Sequence, residues 1–463
     1  MNNIKVRFAP SPTGHMHIGN TRTALFNWLL AKKLGGCFML RIDDTDRERS
    51  KREYEDSLRE SLLWLGLNWT EEARQSARLE RYYEIVEKLK AQGRIYECWE
   101  TPEELELMRK RLIARGLPPI YSRDASALSD EEIALRRKQG RRPHYRFRLT
   151  AGEIRWHDMV RGEVRYDAGK LSDPIVIRED GSFLYHLPSV IDDVDFGITH
   201  IVRGEDHVSN TAVQIEMFEA LGGKIPQFAH LPLLTGKEGK LSKRLGSLGV
   251  RELREEGVEA LAVCSFLAKI GTSESITPFY SLAELAASLD FGRLGRSQPK
   301  FDEVELRRFN TVYLHGLPYE NVKDRTAVGE TFWNAVRGNL TRVDDVRIWH
   351  DVCFEKIEPV LEDNELTVAA AGLLPPEPWN GETWNLWIEA VKKQTGKKGR
   401  DLFHPLRMAL TGLPDGPELK HLLPFIGREK AYKRLNGIRD YERENENQPA
   451  QYAAAPQTGI YPD

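Results

Sequence analysis

The first residues with a chemistry to offer are His15-Met16-His17-Ile18-Gly19-Asn20, which follow a loop containing two prolines and Gly14. A helix that starts there presents unpaired N–H groups and a positive dipole end, and so attracts phosphate. Gly19 lets the backbone approach closely and His17 adds a side-chain donor. A histidine beside a helix start is ordinarily structural, so this segment needs a second element. Far downstream, Gly239-Lys240-Leu241-Ser242-Lys243-Arg244 supplies one. Lys240 and Lys243 on a glycine-punctuated loop can neutralise the charge that develops as a triphosphate is cleaved. Read alone, that segment is a solvated basic loop.

These residues need a scaffold. Ile4, Val6 and Phe8 alternate with polar neighbours, then comes the turn-rich Ala9-Pro10-Ser11-Pro12-Thr13-Gly14. Leu25, Trp28 and Leu29 recur at helical spacing between about His17 and Lys33, and Gly35-Gly36 ends the pattern before the apolar strand Phe38 to Ile42. Strand, helix, strand in this order opens a parallel α/β sheet with right-handed crossovers. Helical patterns follow at Glu53 to Leu65 and Leu79 to Gln92, and a charged, irregular stretch runs from Cys98 to Arg148. Sheet-like sequence returns at Ile154 to Val164 and at Phe183 to Ile201, which predicts a module inserted into the α/β domain. Beyond Lys240 the patterns are helical, at Leu253 to Leu267, Leu282 to Leu289 and Val304 to Asn310, and from Arg443 the composition is that of a mobile tail.

With 463 residues, 40% hydrophobic and 30% charged, the chain reads as an ordinary globular protein of several domains. It has no stretch of ~20 apolar residues to span a bilayer, and its N-terminus shows no signal-peptide pattern. Four cysteines without CxxC spacing fit a reducing compartment, which points to the cytoplasm. A net charge of -3 means that any nucleic-acid contact must be local. Two basic clusters qualify. Arg136 to Arg148 holds Arg141, Arg142 and Arg146, with Tyr145 and Phe147 as stacking candidates, and a second cluster holds Lys397, Lys398 and Arg400. Each cluster alone also reads as a solvated face.

Taken together, the two phosphate-directed segments resemble the paired HIGH-like and KMSKS-like signatures of class I aminoacyl-tRNA synthetases. The stretches FAPSPTGHMHIGNTRTALFNWLLA, GGCFMLRIDDTD, YHLPSVIDDVDFGITHIVRGEDH, HLPLLTGKEGKLSKR and SQPKFDEVELRRFN resemble the bacterial glutamyl-tRNA synthetase family in order and interval. The likeness covers nearly the whole chain. It implies a Rossmann-type catalytic domain over 1–95 and 185–240, an inserted α+β acceptor-stem module over 96–184 and a stem-contact helical domain over 241–318. An all-α anticodon-binding domain over 319–442 and a mobile tail over 443–463 complete the expected architecture.

The resemblance also implies roles. The glutamate side chain is held by Arg7 and Arg203, because a guanidinium fork suits a carboxylate and both residues fall at strand C-termini. Surface ion pairing is the alternative for each. Asp43 takes the α-amino group, with Ala9, Ser11, Tyr185 and Ser189 shaping the pocket. Asp43 stands where glutamate is common in the family, and Ser189 where asparagine is. The cluster Asp43, Asp44, Asp46 also reads as a magnesium site or as a turn. ATP is held by His17, Gly19, Asn20, Asp206, Lys240 and Lys243, with Mg²⁺ on its phosphates, and His17, Lys240 and Lys243 are the catalytic set.

Implied partners are L-glutamate, ATP and tRNA-Glu, the choice between tRNA-Glu alone, tRNA-Gln alone or both being left open by the sequence, and the implied state is a monomer that binds no membrane. The family often carries zinc in the inserted module. Here the stretch reads Cys98-Trp99-Glu100 and later Tyr121-Ser122-Arg123, one thiolate and no histidine, so no structural zinc is expected. Three alternatives remain: a tRNA-Gln-specific misacylating paralogue, a nucleotidylyltransferase of the same superfamily, and an RNA-binding paralogue without catalysis.

Overall fold

A computed structural model describes residues 4–123, 128–236 and 249–438. The chain divides into two compact units at Leu317/Pro318.

The first unit is built on β1 (Lys5–Phe8), β2 (Cys37–Ile42), β3 (Glu71–Arg74), β4 (Ile95–Cys98), β5 (His144–Phe147), β6 (Glu153–Asp158), β7 (Gly162–Asp167), β8 (Ile175–Ile177), β9 (His200–Gly204) and β10 (Gln227–Leu231). Its helices are α1 (Ile18–Lys33), α2 (Arg52–Trp64), α3 (Leu79–Ala91), α4 (Pro102–Ala114), α5 (Asp130–Lys138), α6 (His186–Asp195) and α7 (Val208–Leu221), and further short helices follow. Seven strands form one sheet in the order β3-β2-β1-β9-β10-β6-β7, and a separate three-stranded sheet runs β4-β5-β8. From β3 to β6 the large sheet is parallel, with only β7 antiparallel at its edge. Strand order reverses between β1 and β9, and open α/β sheets bind their ligands at the carboxyl ends of strands on either side of such a switch. Both strands are buried, as a central parallel strand covered by helices must be.

Three expectations need correction. The stretch Phe183 to Ile201 is not all sheet, because His186–Asp195 is α6. Its Leu187, Val190 and Ile191 recur at i, i+3 and i+4 and pack into the core with Tyr82 and Phe218, so tertiary burial overrides the β-branched composition. The irregular stretch Cys98 to Arg148 contains α4 and α5, each opened by a capping box, Thr101 with Glu104 and Ser129 with Glu132. The inserted module is also less separate than 96–184 implies. β6 pairs with β10 through Phe228 and Asp158, so the β6–β7 hairpin extends the main sheet and Ile154 and Trp156 share its core.

The second unit is helical in its described residues, with helices at Thr383–Thr395, Arg400–Thr411 and Leu419–Ile426 among others. Trp333, Trp387 and Arg434 are its largest fully buried side chains. The tail over 443–463 lies outside the described residues. No helix among the described residues is long and apolar enough to cross a membrane.

Candidate active site

A cavity of about 500 Å³ opens over the carboxyl ends of β1 and β9. Its walls include Arg7, Ala9, Ser11, His17, Gly19, Asn20, Tyr185, Arg203 and Asp206, so residues drawn from 200 positions of sequence meet in one place. That volume is typical of a small-molecule site. Arg22 of α1 ties the far wall, donating from Nη1 to the Pro232 carbonyl just after β10 at 2.7 Å.

His17 caps α1. Its Nδ1 accepts from the backbone N–H of Gly19 at 3.1 Å and of Asn20 at 3.3 Å. Two of the helix donors expected to face phosphate are therefore already satisfied by the ring. The proton of the neutral imidazole then sits on Nε2, leaving a donor there, and burial pushes the pKa of His17 down so that the neutral form prevails. Gly19 is needed for this arrangement, since a Cβ would lie 3.1 Å from the ring. Lys240 and Lys243 lie outside the described residues. Gly249, which follows their segment, forms a bridge with His17, and the Val250 N–H donates to the Met16 carbonyl at 3.2 Å.

The two arginines differ. Arg7 donates to both carboxylate oxygens of Asp193, at 3.1 and 3.3 Å. Arg203 is 5% exposed and, among the described residues, has no carboxylate partner within ion-pair distance. Its Nη1 donates to the Tyr185 hydroxyl at 3.0 Å, its Nη2 to Thr211 Oγ1 at 2.6 Å, and its Nε to His230 Nε2 at 3.3 Å. Burial lowers its pKa. Its hydrogen-bond partners among the described residues are neutral, and the charges of Arg7 and Asp193 reach it only through space; a buried cation so placed is costly unless an anion joins it. Tyr185 accepts from this arginine, so its own proton is free to reach the same anion.

Asp43 and Ser189 do not line the cavity. Asp43 is held bidentate by Arg41, at 2.6 and 3.0 Å, and the Ser189 hydroxyl accepts from Arg41 at 3.0 Å. The expected amine acceptor is thus already neutralised, because residues 41 and 43 lie two apart on an extended segment and share a face. The acids do not converge on a metal either. Asp44 accepts from the Ser76 backbone and hydroxyl, and Asp46 pairs with Arg49.

Among the basic candidates, Arg141 and Arg142 are exposed on the inserted module. Arg146 is buried, lies 3.9 Å over the Tyr121 ring and donates to the Asp173 carbonyl at 2.6 Å, so it braces the small sheet. Phe147 is fully buried and Lys90 covers the Tyr145 ring, which leaves neither as an open stacking face. In the second unit Lys398 and Arg400 are exposed, whereas Lys397 pairs with Asp363.

The count of no histidine beside Cys98 is corrected. His144 is the cross-strand partner of Cys98, and donor atoms of Cys98, Glu100 and His144 lie within 4.8 Å of one another. A fourth donor for tetrahedral zinc is missing from this set. The Tyr121 hydroxyl instead donates to Glu100 at 2.8 Å and sits 3.4 Å from Cys98 Sγ. Burial pushes the thiol up to about 11 and the imidazole down to about 4.

A Rossmann-type sheet with a histidine-capped helix and an anion-seeking arginine at its switch point is the arrangement of a nucleotide-using ligase, and the catalytic-domain family "tRNA synthetases class I (E and Q)" matches residues 3–308. An "Anticodon binding domain" family matches residues 360–439. Glutamate–tRNA ligase 1 of Maricaulis maris is 50% identical over 94% of this chain and 99% of its own, and glutamate–tRNA ligase 1 of Parvibaculum lavamentivorans is 52% identical over 94% and 98%. A crystal structure of a glutamate tRNA ligase from Elizabethkingia meningosepticum in complex with its amino acid superimposes with a TM-score of 0.77 at 27% identity, over 94% of this chain and 99% of that one. The chain belongs to the glutamate–tRNA ligase family of class I aminoacyl-tRNA synthetases.

Proposed function

We propose that the cavity activates L-glutamate with ATP and that the chain then transfers the glutamyl group to the 3′-terminal adenosine of tRNA-Glu. The observation that carries this reading is Arg203, a buried cation without a carboxylate partner among the described residues, placed beside Tyr185 in the same cavity as the His17-capped helix. The side-chain carboxylate meets Arg203 Nη1 and the Tyr185 hydroxyl, with Arg7 in support. The α-carboxylate attacks the α-phosphorus of ATP, supplied as its magnesium complex, and pyrophosphate leaves. His17 Nε2–H, Lys240 and Lys243 hold the charge that builds on the phosphates. The terminal 2′-hydroxyl then attacks the mixed anhydride, giving glutamyl-tRNA and AMP. No protein nucleophile is required.

Asp206 and Asn20 are assigned to ATP, and Ala9 and Ser11 to the walls of the glutamate site. Arg141 and Arg142 are assigned to the acceptor stem, and Lys398 and Arg400 to the anticodon arm. The α-amino acceptor assigned at first to Asp43 is left to water-mediated contact, since Arg41 occupies both its oxygens. The absence of structural zinc rests on the three-donor set at Cys98. Stability unchanged by a strong chelator supports it, and a stoichiometric zinc released on unfolding overturns it. A cytoplasmic monomer is the reading favoured by the family and by four free cysteines.

Charging purified tRNA-Glu and tRNA-Gln with labelled glutamate and, separately, labelled glutamine tests the assignment. Glutamate is expected on tRNA-Glu, whether or not tRNA-Gln also accepts it. Glutamate on tRNA-Gln alone defines the misacylating paralogue, and equal charging with glutamine overturns the amino-acid assignment.

A further inference from the structure

Behind Arg203 lies a chain of buried polar groups, Thr211, His230 and Asp158, that does not line the cavity. His230 of β10 and Asp158 at the end of β6 are both wholly inaccessible, and His230 Nδ1 lies 2.5 Å from Asp158 Oδ2. The other oxygen of Asp158 is filled by the backbone N–H groups of Val160 and Arg161, each at 3.0 Å. Burial alone would raise this carboxylate, but the His230 contact first and the two backbone N–H groups after it hold it in its charged form, below the usual carboxylate range. A carboxylate is acceptor only, so the proton in the short contact belongs to His230 Nδ1. Burial also keeps His230 from taking a second proton, and Arg203, Arg161 and His207 face it with charge or potential charge of the same sign. The tautomer is thereby fixed, and Nε2 carries a lone pair.

That lone pair points at two donors, Arg203 Nε–H at 3.3 Å and Thr211 Oγ1 at 2.9 Å. Thr211 Oγ1 also accepts from Arg203 Nη2. Two of the three nitrogens of the guanidinium are thus gripped from behind, and Nη1 is left facing Tyr185 and the cavity. A planar five-donor fork has several ways to rotate. Thr211 Oγ1 and the His207 carbonyl hold Nη2, and His230 Nε2 is the acceptor that holds Nε.

We propose that Asp158 and His230 form a positioning pair for Arg203: the carboxylate of Asp158 sets the His230 tautomer, and His230 Nε2 accepts from Arg203 Nε and turns Nη1 toward the carboxylate of glutamate. The proposal rests on Arg203 binding that carboxylate. It makes the β6–β7 hairpin, otherwise an edge of the sheet, a part of amino-acid selection.

The test uses the full-length chain with tRNA-Glu, measuring KM for glutamate and for ATP together with thermal unfolding. Asp158→Asn keeps shape, but its amide N–H donates to His230 Nδ1, which moves the imidazole proton to Nε2 and turns it against Arg203 Nε–H. His230→Asn donates to Asp158 and offers nothing to Arg203. His230→Gln places an amide oxygen where Nε2 was. Expected are a glutamate KM raised about tenfold to a hundredfold in Asp158→Asn and His230→Asn, an ATP KM within about twofold in both, and a near-normal glutamate KM in His230→Gln. The double variant Asp158→Asn/His230→Gln is expected to recover most of the loss seen in Asp158→Asn, because the glutamine oxygen accepts from Arg203 whatever stands at 158. A merely structural pair gives no such rescue. Equal rises in both KM values, or a double variant no better than Asp158→Asn, overturn the proposal. Arg203→Ala separates the two readings: if it leaves the glutamate KM unchanged, the assignment of Arg203 to the substrate fails. If it raises that KM while Asp158→Asn and His230→Asn do not, only the positioning pair fails.

Discussion

Arg41 and Arg203 are both buried beneath the carboxyl edge of the same sheet, yet their surroundings are opposite. Arg41 is 1% exposed and is met by Asp43, Asp193 and, at 3.8 Å, Asp192. Burial disfavours its charge, but the carboxylates outweigh burial and raise its pKa. Arg203 meets a phenol, a hydroxyl and an imidazole, and burial lowers its pKa. A buried charge with its counter-charges in place is finished structure, whereas one without them is a site waiting for a ligand. Exposure alone does not separate the two residues. The inventory of partners does.

Three experiments probe that contrast. The largest effect on substrate binding is expected for Arg203→Ala, which should raise the glutamate KM about a hundredfold or more, since a buried charged hydrogen bond to the ligand is lost. The ATP KM should change little, as steady-state charging will show. Folding should suffer less than in the next variant, because no carboxylate is left stranded. A comparable loss of stability in both erases the distinction drawn here. Arg41→Met should cost about 3–5 kcal/mol in urea unfolding, because Asp43 loses its bidentate partner within the core while Asp193 keeps only Arg7. A smaller cost would show that water already reaches these acids.

The smallest effect concerns His144, whose imidazole is held neutral with its pKa pushed down to about 4 by burial. Between its ordinary value near 6.5 and that value the unfolded chain binds the extra proton, so this group withdraws stability as pH falls through that window. His144→Asn should therefore flatten the pH dependence of unfolding between about pH 4 and 6.5, by roughly 1–2 kcal/mol after allowance for partial solvation. Parallel curves for variant and parent would place the titration elsewhere.

Much of the site was legible in the sequence because its motifs are local. The run from Ala9 to Asn20 contains loop, cap and helix start, and Ala9, Ser11, His17, Gly19 and Asn20 all line the cavity. Arg203 follows from the family resemblance, with its place at a strand end as physical support. The resemblance also puts Asp43 in the cavity, but Arg41, two residues earlier, holds both of its oxygens. The cross-strand pair of Cys98 with His144, 46 positions away, left no local trace, and neither did the meeting of Asp158 with His230, 72 positions apart. The helices Pro102–Ala114 and Asp130–Lys138 could have been read from Thr101 with Glu104 and Ser129 with Glu132, where charge hid a capping signal.

The β6–β7 hairpin bears on how such enzymes can be taken apart. It lies within the stretch that sequence assigns to the acceptor-stem module, but it hydrogen-bonds to the strand carrying His230 and contributes Asp158 to it. Anyone exchanging modules between related ligases should therefore cut so that residues 151–170 travel with the α/β sheet and not with the small three-stranded one. A chimaera joined at the apparent domain border would inherit a foreign wall behind its own arginine, and its first symptom would be a weaker hold on the amino acid.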